Sequence, residues 1–198
     1  MRVIAGTAKG TQLTAPKRGT RPTTDRVREA VFSVIADWAG RSGVAAEQQL
    51  VGLGFLDLYA GSSALAIEAA SRGAAPVLAV DSDAVAVDVS QANVRRSRLP
   101  VKVVRAGVDG FLNRAMGGFD IIWLDPPYDL SGTDLDGVLG RLPGRALTSD
   151  GLVAVERSAR SVRPDWPSQL SIRWDRHYGE SVVYFAQADD RSISDDRS

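Results

Sequence analysis

Between residues 53 and 157 five short apolar runs recur, each separated from the next by a helix-length or loop-length stretch. They are LGFLDLY, PVLAVD, VKVV, FDIIWLD and GLVAVER. A strand with one wet face alternates apolar and polar residues, and these runs hardly alternate, so both their faces must be covered. Parallel strands need crossover connections, and helices supply both the crossovers and the cover. The segments SALAIEAASRG, AVAVDVSQANVRRS and VDGFLNRA have helical character, and a further helix is predicted near 134–141. The pattern predicts an α/β fold with a parallel sheet covered on both faces.

The flanks read differently. RVIAGTAKGTQLTAP, at the start, predicts a small β-hairpin with basic edges. In RPTTDRVREAVFSVIADW, Val27, Ala30, Val31, Val34, Ile35 and Trp38 fall on one helix face, and Thr23, Thr24 and Asp25 are cap candidates. Near the end, LSIRWDRHY and ESVVYFAQ predict two consecutive strands paired as a hairpin, and DDRSISDDRS is polar enough to predict a disordered tail. These readings divide the chain into an extension at 1–21, a main domain at 22–187 and a tail at 188–198.

The charges cancel, 24 basic against 24 acidic, but their distribution is uneven. Arg2, Lys9, Lys17, Arg18, Arg21, Arg26 and Arg28 face only Asp25 in the first 28 residues, and Arg95, Arg96, Arg98, Lys102 and Arg105 form a second cluster without an acid. Both are compatible with phosphate contact, and equally with solvated surface. The absence of cysteine excludes disulfides, thiolate metal sites and cysteine nucleophiles. One histidine, His177, argues against histidine-based zinc chemistry and against a serine triad. No apolar run approaches the roughly 20 residues of a spanning helix, so a soluble, cytoplasmic protein without metal or membrane partner is expected.

In an open α/β sheet, ligands bind beyond the carboxyl ends of the strands. Asp57, Asp81 and Asp125 stand at or near such ends. After the first, Gly61 allows a tight turn into a helix whose early N–H groups come close to a ligand. Neither G-x-G-x-x-G nor a Walker pattern is present. Asp81 can accept both hydroxyls of a ribose, or can cap the helix opening at Ala84, a role that Ser82 or Asp83 also suits. Together with the glycine turn it favours a cofactor that carries a nucleoside.

The order FLDLYAGSSAL, LAVDSD, IIWLDPPYD resembles class I S-adenosylmethionine-dependent methyltransferases, and Asp-Pro-Pro-Tyr resembles the signature of enzymes that methylate planar nitrogens. With RVIAGTAKGTQL and RPTTDRVREAVFSVI, the chain is similar over residues 2 to about 186 to the RsmD family of small-subunit rRNA guanine-N2 methyltransferases. The resemblance implies a Rossmann-like, seven-stranded, mostly parallel sheet with an antiparallel last strand. It implies S-adenosylmethionine as donor, and as partner a guanine of 16S rRNA in the small subunit or its assembly intermediate, met by a monomer.

By the same resemblance Asp57, Tyr59, Gly61, Ser62, Asp81 and Ser82 hold the cofactor, with backbone groups of Ala106, Gly107 or Val108 at the adenine. Asp125, Pro126, Pro127 and Tyr128 form the catalytic loop. Arg2, Lys9, Lys17, Arg18, Arg21 and Arg26 hold RNA, with Thr23, Thr24 and Arg28 reaching toward the cofactor. Two positions depart from the family: Ser63 replaces the second glycine of the loop, and Gly107 replaces the acid after the third strand, with Asp109 expected as a helix-start acid instead. Adenine N6 or a glutamine amide as acceptor, and a non-catalytic RNA-binding assembly factor, are the alternatives. Trp123, Trp166 and Trp174 are expected to pack, and His177 to lie in a loop.

Overall fold

A computed structural model of the chain describes residues 1–15, 24–115 and 117–187. Its helices are α1 (Asp25–Trp38), α2 (Ala64–Ser71), α3 (Ala84–Ser97), α4 (Val108–Leu112) and α5 (Gly132–Leu139). Its strands are β1 (Phe55–Leu58), β2 (Val77–Asp81), β3 (Val101–Arg105), β4 (Phe119–Leu124), β5 (Leu147–Ser158), β6 (Ile172–Tyr178) and β7 (Ser181–Gln187). The seven strands form a sheet in the order β3-β2-β1-β4-β5-β7-β6, the Rossmann-like α/β arrangement ending in an antiparallel hairpin. The chain divides into two compact units, one to Val108 and one from Asp109.

In the first unit β1, β2 and β3 run parallel, with Phe55 opposite Val77 and Asp81 opposite Arg105. Thr24 caps α1, its Oγ1 accepting the Val27 N–H, and the apolar face of α1 buries Val31, Phe32 and Ile35. Phe32 stacks on Phe55 of β1 at 6.0 Å between ring centroids.

All eight residues of α2 are buried, including Glu68 and Ser71. Two polar side chains inside an otherwise apolar helix need partners. They find them in the N-terminal segment. Glu68 accepts the backbone N–H groups of Ile4 (2.7 Å) and Ala5 (3.0 Å) and pairs with Arg72 at 2.9 Å, whose guanidinium lies over the Phe32 ring. Ser71 receives Thr7 N–H on its carbonyl and Ala8 N–H on its Oγ.

This contact explains why the expected hairpin is so short. Arg2 and Gln12 form one antiparallel bridge, supported by Val3 N–H to Thr11 O, but the N–H groups of Ile4, Ala5, Thr7 and Ala8 turn to α2 rather than to a partner strand. The remainder of the extension, with Lys17, Arg18 and Arg21, then Thr23, and the 188–198 tail lie outside the described residues.

In the second unit β4 pairs in parallel with β5, Leu124 opposite Val155, with a register shift between Phe119 and Ile121. β5 begins at Leu147, earlier than the GLVAVER run predicts, because polar Thr148, Ser149 and Asp150, which fall within the shift, separate Leu147 from that run. The helix expected near 134–141 starts at Gly132, capped by Ser131, whose Oγ accepts the Asp134 N–H. β6 and β7 form the predicted hairpin. Trp123 is buried in β4 and Trp174 stacks on Phe185 at 5.3 Å, so both pack as expected. Trp166 is half-buried, its carbonyl taking an Arg173 N–H. His177 instead sits within β6, exposed, with Nε2 3.1 Å from Asp175 Oδ2. Among the described residues no helix is long and apolar enough to cross a membrane.

Candidate active site

Beyond β1 the backbone is forced into a tight turn. Tyr59, Gly61 and Ser63 have φ of 60°, 52° and 57°. Left-handed backbone costs a residue other than glycine about 1–2 kcal/mol, so Tyr59 and Ser63 must be held there by their surroundings. The structure shows groups that hold the turn. Buried Asp57 accepts the Ala66 N–H at 3.1 Å, bonding the first turn of α2 where Ser63 makes no side-chain cap. Asp81 Oδ2 accepts the Gly61 N–H at 2.8 Å, Asn93 Nδ2 donates to the Ser62 carbonyl at 3.0 Å, and the Ser63 and Ser90 hydroxyls share a bond of 2.5 Å. A Cβ on Gly61 would meet nothing within 4 Å, so its φ and not crowding favours glycine there, and the space beside it is open.

Asp81 has a second partner, the Asp83 N–H on Oδ1 at 2.9 Å. Four lone-pair sites on a carboxylate leave one further acceptor position on each oxygen. Asp83 itself caps α3 through the Ala86 N–H at 2.8 Å, which relieves Asp81 of that role. Half-buried, with acceptor capacity on both oxygens and an open glycine turn bonded to it, Asp81 fits vicinal hydroxyls of a nucleoside. At the end of β3, Ala106 donates its N–H to the Asp81 carbonyl at 2.9 Å, Gly107 is exposed with room for a Cβ, and Val108 is buried. Ser82 is exposed, whereas Ser62 is 9% exposed with its Oγ 3.7 Å from the Met1 sulfur.

Asp57 and Arg28, both buried, make contacts within the protein. Asp57, 2% exposed, lies beneath the turn and braces it. Arg28, fully buried, donates to the Arg2 carbonyl at 2.5 Å and pairs with Asp25 at 2.9 Å, so it anchors the N-terminal segment. Burial pulls its pKa below the ordinary guanidinium value, opposed by Asp25 and Glu68. Arg2, Lys9 and Arg26 are exposed around a cleft of about 300 Å³ that Asp25 and Glu29 also line. Arg96 from the second basic cluster holds the Gln12 carbonyl at 3.2 Å, while Arg98 remains exposed.

In the second unit Asp125 follows β4 directly and is half-buried, Pro126 is buried, and Pro127 is exposed. Leu130 N–H closes a turn on the Pro127 carbonyl at 3.0 Å, and Tyr128 inside that turn is 63% exposed. Asp109 pairs with Arg141, an ion pair at the start of α4. Sequence reasoning overlooked Arg157, whose guanidinium reaches the Pro127 and Leu130 carbonyls. It also overlooked Glu68 and Asn93; the one signal for Glu68 was a lone acid in a helix apolar all round.

A family model described as conserved hypothetical protein 95 matches residues 1–187. YlbH of Bacillus subtilis (strain 168), named a putative rRNA methyltransferase, is 33% identical over 192 residues, covering 92% of this chain and 96% of YlbH. Ribosomal RNA small subunit methyltransferase D of Escherichia coli (strain K12) is 28% identical over 198 residues, covering 98% and 93%. Among solved structures, a protein of Escherichia coli named putative methyltransferase yhhF superposes with a TM-score of 0.79 at 28% identity, covering 96% of this chain and 98% of that one. With that fold, that turn and a match along nearly its whole length, the chain belongs to the family described as conserved hypothetical protein 95, the RsmD family of class I methyltransferases.

Proposed function

We propose that the protein transfers a methyl group from S-adenosylmethionine to the exocyclic N2 of a guanine in 16S rRNA. The observation that carries this reading is the Asp125–Tyr128 segment at the end of β4, with its acid half-buried and its aromatic ring 63% exposed. An exocyclic amine delocalises its lone pair into the ring and is a poor nucleophile. The Asp125 carboxylate and the Pro126 carbonyl accept its two hydrogens and draw the nitrogen toward a tetrahedral shape. Prolines fix φ at both positions, which keeps the carbonyl aimed. The Pro127 carbonyl already serves Leu130 and Arg157, and this directs the amine to Pro126. The exposed Tyr128 ring offers a face for a base taken out of its stack.

S-adenosylmethionine, when bound, supplies a methyl group already activated on a sulfonium. Asp81 takes its ribose hydroxyls, the Tyr59–Ser63 turn its amino-acid end, and the backbone of Ala106 to Val108 its adenine. With an activated donor, the protein's main contribution is alignment. The protein works as a cytoplasmic monomer on the small subunit or its assembly intermediate, and Arg2, Lys9 and Arg26 contact RNA phosphates beside a cleft that Asp25 and Glu29 keep from being uniformly basic.

The test is to incubate the protein with labelled S-adenosylmethionine and small subunits lacking the modification, then digest the RNA to nucleosides. Label in N2-methylguanosine is the expected result. Label in N6-methyladenosine overturns the acceptor, and cofactor binding without transfer favours an assembly factor. Running naked 16S rRNA in parallel tests the dependence on a ribonucleoprotein.

A further inference from the structure

We infer that Arg157 of β5 is a positioning residue for the Asp125–Tyr128 loop, an inference that rests on the reading of that loop given above. β5 pairs with β4 up to Val155 opposite Leu124, and Arg157 lies two residues further along, level with the segment that leaves β4. Its Nη1 donates to the Pro127 carbonyl at 3.4 Å and its Nη2 to the Leu130 carbonyl at 3.1 Å. Those are the first and last residues of the turn that the Leu130 N–H closes on Pro127. One planar fork therefore grips both ends of a turn whose second residue is Tyr128.

The energetics point the same way. Arg157 is 8% exposed, and its Nε is buried without a hydrogen-bond partner among the described residues. Removing an ion from water costs several kcal/mol, and an aliphatic residue in this strand would avoid the cost. Tyr128, at 63% exposure, has little packing to orient its ring, so the turn's backbone decides where it points. Arg157 supplies the rigidity the exposed ring lacks. A lysine ammonium is a compact point charge and does not reproduce the fork.

The experiment compares wild type, Arg157→Lys and Arg157→Met on small subunits lacking the modification. We expect kcat to fall roughly tenfold to a hundredfold in R157M, the range for a slight misplacement of reacting groups, and by less in R157K. Calorimetric affinity for S-adenosylhomocysteine stays within about twofold of wild type if only the loop is disturbed. Combining R157M with Tyr128→Ala gives less than the sum of the two effects, because both act through the same ring. Amide hydrogen exchange at Leu130 rises in R157M, a readout that needs no activity. Unchanged exchange, additive effects, or loss of cofactor affinity in step with kcat would each overturn the assignment. A wild-type protein that methylates no subunit RNA sinks the functional reading instead, and Leu130 exchange then still decides whether Arg157 holds the turn.

Discussion

Gly6 passes so close to Ser71 that a Cβ on Gly6 would lie 1.8 Å from the Ser71 carbonyl oxygen. The N-terminal segment thus lies against α2 backbone to backbone, and Gly6 also has a φ of +80°. Gly6→Ala is expected to lose at least about 3 kcal/mol, combining left-handed strain with displacement of the segment. Gly10 has a φ of +86° but would meet nothing within 4 Å, so Gly10→Ala carries the strain alone. Urea unfolding of the two variants should separate them, with G10A losing about 1–2 kcal/mol.

The carboxylates of Asp81, which ends β2, and Asp83 divide their work, and substitution should show it. Asp81→Ala is expected to weaken S-adenosylhomocysteine binding at least about tenfold, since it removes the acceptor proposed for the ribose and the bond to Gly61. Asp83→Ala removes only the α3 cap and should cost about 1 kcal/mol of stability with affinity nearly unchanged. Titration calorimetry and thermal unfolding measure the two effects. Equal loss of affinity in both variants would contradict the division.

Ser63 holds a glycine's conformation with a serine's side chain. Ser63→Ala loses the bond to Ser90 and keeps the left-handed strain, while Ser63→Gly loses the bond and gains the freedom. The glycine variant should therefore be the more stable of the two by about 1 kcal/mol. Denaturant midpoints decide the order, and a reversed order would mean that the backbone at position 63 is not strained.

Asp125 is expected to matter for transfer and not for donor binding. Asp125→Ala should lower single-turnover methylation about a hundredfold or more, as removal of an aligned charge-stabilising group does, with S-adenosylhomocysteine affinity kept. A parallel loss of both would move Asp125 into the cofactor site.

The strands were legible because β1 and β4 are buried on both faces, and such a run has one reading: Phe55 to Leu58 and Ile121 to Leu124 admit no exposed register. The glycine turn was legible because Gly61 punctuates a strand and a helix. What escaped was polar chemistry inside apolar elements. Glu68 meets Ile4, and Asn93 meets Thr14, across separations of 64 and 79 residues, and no local period encodes such a partner. Arg157 escaped for the same reason, since a cation at a strand end reads as a solvated terminus until the neighbouring loop is seen. The short hairpin follows too: its missing rungs were diverted to α2, which the hairpin's own residues do not announce.

Asn93 holds Thr14 at both its N–H and its carbonyl, and with the same amide nitrogen it holds the Ser62 carbonyl. The opening segment and the Tyr59–Ser63 turn, far apart in the chain, therefore answer to one codon. Because its partners there are backbone atoms, a substitution at 93 is felt in both places at once, whatever side chains stand at 14 and 62.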